Sequence, residues 1–412
     1  MPFTAADCRR ARLDFPSLAR TFGGRSIAYL DGPAGAQVPQ RVIDAIAAYY
    51  REANANTHGQ FATSEESDAR VHGVREKVAT FLGAADWRSI SFGANMTTLN
   101  FALSHALGRA FAPGDEVVIT QLDHEANRGP WLALGERGVV VREVGLQADG
   151  TLDPNDLAAQ IGSRTRLVAM GLASNALGTV NDLALARRLS RAVGAWLLVD
   201  AVHYAPHFAV DFQALDADFL LCSAYKFYGP HVGILCCRPG LLDSLSTDRL
   251  RVQDPAAPFR IETGTLNHAA LAGVGAAIDY LASWGEGPDL RARLVDAMAG
   301  IGAWEGALAR RYAREAQAIP GVSLHGPAFD GGRRAPTVSL TVAGHTAEAI
   351  ARRLGERGIQ VWDGHFYALR AVEALGLDRV GGLVRTGFLL YNTEEEVDRL
   401  LAGLREIAAA RG

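Results

Sequence analysis

The chain has 412 residues, 49% hydrophobic and 21% charged, with a formal net charge of −4; this is the composition of an ordinary globular protein with enough chain for two or three domains. So small a net charge gives no electrostatic reason to expect nucleic acid or an anionic membrane as partner. Four cysteines without CxxC spacing, Cys8, Cys222, Cys236 and Cys237, argue against a zinc site and read as buried, reduced thiols.

The first 20 residues mix charged and apolar side chains without an uninterrupted apolar run. Neither a signal peptide nor a membrane span is expected, and a cytoplasmic location is inferred. This segment, 1–20, can pack on either of the two domains beyond it.

From about residue 70, short apolar runs alternate with amphipathic stretches. The runs are SISFG (89–93), EVVITQ (116–121), GVVVREV (138–144), RLVAMGL (166–172), AWLLVD (195–200), DFLLCS (218–223) and VGILCC (232–237). Such alternation predicts an α/β domain over residues 21–285, built on a mostly parallel sheet of seven strands covered on both faces. Beyond it, strands at 336–344, 358–364 and 382–392, interleaved with helical patterns, predict a smaller α+β domain over 286–412, with the Gly-rich FDGGRRAP as an exposed loop.

Of 41 basic residues only two are lysines, Lys77 and Lys226. An arginine stays protonated, whereas a desolvated lysine can lose its proton and condense with an aldehyde. Lys77 lies in a stretch of helical spacing and is expected on a solvated face. Lys226, in CSAYKFYGPHVGI, falls in a short loop between two apolar runs, where an amine needs a reason.

In open α/β sheets ligands sit beyond the carboxyl ends of the strands. Asn95-Met96-Thr97, Asn175, Asp200, His203, Ser223 and Lys226 all come after predicted strands, so they are expected to converge. Together they suit pyridoxal phosphate (PLP): a carboxylate at Asp200 for the pyridine nitrogen, and a Gly/Asn turn with threonines opening a helix for the phosphate. Each has a plainer alternative. Asp200 can be a turn or cap residue, and the threonines an ordinary N-cap. His124, after EVVITQ, can stack on a planar cofactor or shuttle protons, or lie on the surface. Arg385, a charge inside the apolar strand GLVRTGFLLYN, needs either a substrate carboxylate or a structural salt bridge.

Read together, YLDGPAGAQVP (29–39), SNALGTVND (174–182), VDAVHYAPH (199–207), SAYKFYGPHVGIL (223–235), ETGTLNHAALAG (262–273) and VRTGFLLYNTEEEVDRL (384–400) resemble the class V aminotransferase family of fold-type I PLP enzymes. Within it they resemble most the cysteine desulfurase-like branch, and also isopenicillin N epimerase. The resemblance implies that Lys226 holds the cofactor and moves protons at Cα, with His124 stacked on the ring, Asp200 beneath its nitrogen, and Asn175 on the ring hydroxyl or the substrate. Thr97, His203 and Ser223, with the Asn95-Met96 turn, would hold the phosphate, joined by Thr265 from the second subunit of a homodimer. Arg385 would clamp an amino-acid α-carboxylate, with Ala34 on the substrate side and His365 and Tyr367 serving as a second acid/base or lining the side-chain pocket.

Two departures stand out. Desulfurases of this type carry a nucleophilic cysteine in a loop reading roughly Gly-His-His-Cys-Ala; here the segment is DGHFYA, 363–368, with Tyr367 at the thiol's place. GANMTTLN is also less rich in Gly and Thr than the desulfurase turn. Because the overall pattern sits closest to desulfurases, a C–S lyase of the β-elimination type acting on cysteine-like amino acids is, by analogy, the first expectation, ahead of an epimerase or an aminotransferase. A catalytically silent PLP-binding protein is the alternative from another class.

Overall fold

The computed structural model describes residues 2–410. Strand β1 (Ala28–Tyr29) precedes the seven strands expected from the apolar runs: β2 (Ile90–Gly93), β3 (Glu116–Thr120), β4 (Val140–Val144), β5 (Thr165–Gly171), β6 (Trp196–Asp200), β7 (Phe219–Ser223) and β8 (Gly233–Cys237). These seven form one sheet in the order β2-β8-β7-β6-β5-β3-β4. All are parallel except β8, which runs against both β2 and β7. The fold is thus the expected fold-type I arrangement, a mostly parallel sheet of seven strands. Strands β3, β7 and β8 are buried at every position, as a sheet covered by helices on both faces requires. Cys236 and Cys237, adjacent on β8, point into the two different cores on either side of the sheet.

A smaller sheet holds β9 (Val322–His325), β10 (Thr337–Val342), β12 (Trp362–Gly364) and β13 (Leu383–Gly387), in the order β9-β10-β13-β12. Strand β11 (Ile359–Gln360) stands outside it and pairs in parallel with β1. The run 358–364, read from sequence as one strand, is therefore two strands with different partners. The strand expected through residue 392 stops at Gly387. After it the buried chain turns away, its Leu389 amide donating to the Asn392 side chain.

The helix Leu290–Gln317 links the two cores. Its Leu294, Met298 and Ile301 pack in the core of the large sheet, and its Leu308, Ala309 and Tyr312 in that of the small one. Ala28 and Leu30 also belong to the small-sheet core, so the segment after residue 27 crosses to that side. The opening helix, Ala5–Arg12, places Cys8 in the large core with its thiol on the Asn392 carbonyl. Among the described residues no helix is long and apolar enough to cross a membrane.

Two glycines permit the contacts that shape the site. A Cβ on Gly233 would stand 2.2 Å from the Asn95 carbonyl carbon, so only glycine lets the helix Met96–Gly108 start against β8. A Cβ on Gly387 would stand 2.2 Å from Pro33, so glycine there lets the 31–34 segment cross the end of β13.

Candidate active site

The carboxyl ends of β3, β5, β6 and β7 open into a cleft with about 670 Å³ of empty space, open solvent at its mouth included, within the range of small-molecule sites. It is lined by Asn95, Met96, Thr97, His124, Asn175, Asp200, His203, Ser223 and Lys226. These residues span more than 130 positions of sequence and meet because parallel strands all end on one edge.

Lys226 sits in a one-turn helix after β7, buried. Its Nζ donates to the carbonyls of Pro33 and of Ala34, the latter at 3.0 Å. Burial, reinforced by the charge of Arg385, pulls its amine down to about 7, so a substantial fraction is unprotonated at neutral pH. That is the condition for attack on an aldehyde. Asp200, the last residue of β6, accepts from the Val202 amide at 2.9 Å. Burial pushes its carboxyl up to about 7, with Asp123 adding to the effect; a cation placed beside it would restore the carboxylate.

The helix Met96–Gly108 begins at the cleft with a capping box, Asn95 Oδ1 accepting from the Thr98 amide at 2.9 Å. Its first amides face outward, as at any helix start. His203 shares a 2.9 Å hydrogen bond between its Nε2 and Thr337 Oγ1 on β10, while its Nδ1 is buried without a partner. His124 caps a short turn, its Nδ1 accepting from the Ala126 amide at 3.0 Å. Burial, then the charges of Lys226 and Arg385, bring His124 down to about 4, so the imidazole is neutral.

This donor set fits PLP. A buried amine of lowered basicity, a carboxylate lacking a cation, free helix-start amides beside Thr97 and Ser223, and an unpartnered imidazole nitrogen inside the cleft match its aldehyde, ring nitrogen, phosphate and polar edge.

The remaining expected residues lie at the rim or elsewhere. Arg385, on β13, has an acidic neighbour within the protein, Asp31, at 3.0 Å, a residue that the sequence pattern alone does not single out. Asn175 Nδ2 donates to the Phe366 carbonyl at 2.9 Å. Tyr367 is 66% exposed and its ring stacks on His124, centroids 5.4 Å apart. Its carbonyl accepts from the Glu125 amide at 2.7 Å, and its amide donates to His365 Nδ1 at 3.1 Å. Phe366 and Tyr367 both have positive φ, 54° and 60°, a strained conformation for consecutive aromatic residues. Thr265 is exposed and lines a different groove, with Phe92, Thr98 and His231. Sequence reasoning also missed Tyr225 and Asp123, which line the cleft. Each directly precedes a residue it did select, and Tyr225 stacks on His231 at 4.6 Å.

The family model described as "Aminotransferase class-V" matches residues 28–400. A cysteine desulfurase of Serratia proteamaculans is 36% identical over 422 aligned residues, covering 98% of each chain. One from Dickeya dadantii is 36% identical over 97% of this chain and 96% of its own. Among solved structures, the apo cysteine desulfurase of Thermococcus onnurineus superposes with a TM-score of 0.85 at 28% identity, covering 97% of each chain. The cysteine desulfurase CsdA of Escherichia coli gives 0.85 at 28% over 98% of each.

Proposed function

The chain belongs to the class V aminotransferase family and is a PLP-dependent enzyme of cysteine desulfurase-like type; from that premise we propose that it is a C–S lyase, eliminating the β-substituent of a cysteine-like amino acid without storing sulfur on the protein. The observation that carries the proposal is the loop 363–368, where Tyr367 occupies the rim and no thiol is present. The four cysteines lie elsewhere, all buried, and burial raises each thiol above its ordinary pKa.

In this reading Lys226, Asp200, Asn175, His124, Thr97, Ser223 and His203 hold the cofactor, with Thr265 supplied by a second copy of the chain in a cytoplasmic homodimer. When bound, PLP supplies an electron sink for negative charge at Cα. Lys226, already low in basicity, takes the Cα proton. Asp200 would pair with the ring nitrogen and supply a compensating negative charge, and neutral His124 would contact the ring without adding a cation. Arg385 orients the substrate by its α-carboxylate. Tyr367 and His365 stand at the rim on the side-chain end of the substrate.

Incubation with a panel of L-amino acids in deuterated water tests this. Pyruvate with ammonia from a cysteine-like substrate is the expected result. α-Deuterated D-product would make the enzyme an epimerase and pyridoxamine phosphate an aminotransferase; either would overturn the lyase reading, as would no turnover by PLP-loaded protein.

A further inference from the structure

The guanidinium of Arg385 is already engaged by a carboxylate. Its Nη2 donates to Asp31 Oδ1 at 3.0 Å and its Nη1 to the Asn175 carbonyl at 3.3 Å. The Phe366 ring covers one face, 4.2 Å from its centre, and Nε is buried without a partner. Both side chains are shut away, Arg385 at 3% and Asp31 at 9% exposure. Asp31 reaches this position because its backbone bridges to Gly387, the glycine that lets the 31–34 segment cross β13. That segment also provides the Pro33 and Ala34 carbonyls holding Lys226. One short stretch of chain thus supplies an anion to the clamp and acceptors to the amine.

The inference rests on the reading of Arg385 as the clamp for a substrate α-carboxylate. An incoming carboxylate must then share one buried guanidinium with Asp31, and two such close anions cannot both stay ionised at low cost. We propose that Asp31 is the resident stand-in for the substrate carboxylate on Arg385, and that it takes up a proton from solvent as the substrate carboxylate replaces it. No substrate bond changes in this step; the proton passes from buffer to an Asp31 oxygen.

The charged and titratable groups facing Asp31 are Arg385 from β13, Lys226 from the loop after β7, and Tyr29 on its own segment. Burial raises the Asp31 carboxyl against the pull of Arg385, Lys226 and the Ala34 amide. Tyr29, pushed up to about 12 by burial and by Asp31, stays neutral. Asp31 is therefore a positioning residue that selects ligands able to displace an anion, and it couples their binding to pH.

Calorimetric titration of the PLP-loaded protein with propionate, in two buffers of different ionisation heat at pH 6, 7 and 8, measures both affinity and proton count. The wild type is expected to take up roughly half to one proton per propionate at pH 7 and to lose affinity by up to about tenfold per pH unit above it. Asp31→Asn keeps the shape and an acceptor for Arg385. It is expected to bind propionate about tenfold more tightly at pH 8 and to remove most of the proton uptake. Uptake equal in wild type and D31N, or weaker binding by D31N, overturns the role of Asp31. Zero uptake in the wild type overturns it even if D31N fails to fold. If Arg385→Ala binds propionate as well as the wild type does, the clamp reading itself has failed, a result distinct from failure of Asp31 alone.

Discussion

The two sides of the cleft are built differently. Its floor comes from four parallel strand ends of one sheet, each delivering a residue at a fixed offset: Asp200 closes β6, Ser223 closes β7 and Lys226 sits one turn later. Its rim is assembled from separate pieces, the 31–34 crossing, β13 and the strained loop 363–368, joined by the ion pair of Asp31 with Arg385, the bridge of Asp31 to Gly387 and the Phe366 ring over the Arg385 guanidinium, and tied to the floor by the hydrogen bond of Asn175 to the Phe366 carbonyl. A floor fixed by a sheet keeps its cofactor chemistry, while a rim made of loops changes which substrate is handled and which reaction succeeds proton removal. In this chain the floor gathers Asn95, Asp200, Ser223 and Lys226 around one cleft, and the rim sets Tyr367 against His124.

Substitutions on the floor should have the largest effects. Lys226→Ala is expected to lower turnover by about a thousandfold or more, with PLP no longer covalently held; turnover within tenfold of wild type would show that the amine is dispensable. Asp200→Ala is expected to cost about 10²–10³ in kcat/KM and to shift the absorption of bound PLP. A change in KM alone would place Asp200 outside the ring's reach.

The floor and rim are also coupled electrostatically, and this can be read from pH. The rate at which cofactor-free protein captures PLP should rise with pH through a midpoint near 7, because unprotonated Lys226 is the attacking form. Arg385→Ala removes a neighbouring positive charge that favours loss of the Lys226 proton, so the midpoint should move upward. A midpoint unchanged in R385A would separate the two sides.

Rim substitutions should be milder. Losing the Tyr367 stack on His124 in Tyr367→Ala is expected to change KM by about two- to tenfold, while the spectrum of bound PLP stays the same; loss of PLP would move Tyr367 from rim to floor. The smallest effect belongs to the other lysine. Lys77 pairs with Asp279 at 2.6 Å, but both side chains are more than a third exposed. Lys77→Ala should cost less than about 1 kcal/mol in thermal unfolding and leave activity unchanged.

The same contrast explains what the sequence made legible. Continuous apolar runs mark buried parallel strands, so the seven large-sheet strands fall within a residue or two of their expected bounds, and the rule that ligands sit beyond strand ends brings Asn95, Asn175, Asp200, Ser223 and Lys226 together without any side-chain information. The rim depends on long-range pairings that leave no local pattern. Ile359–Gln360 separates from Trp362–Gly364 because it pairs with Ala28–Tyr29, some 330 residues earlier. Val322–His325, only partly buried, lacks the apolar run that marks a strand. Asp31 lies within the motif YLDGPAGAQVP, yet its pairing with Arg385 spans 354 positions and depends on the glycine that lets the chain cross β13.

The most direct test is to load the protein with PLP, reduce with borohydride, and locate the added mass by peptide mapping. Attachment at Lys226 alone, with loss of the bound cofactor's visible absorption, is the predicted result. Modification only at Lys77 or the N-terminus, or no modification at all, would contradict the central role given to this amine.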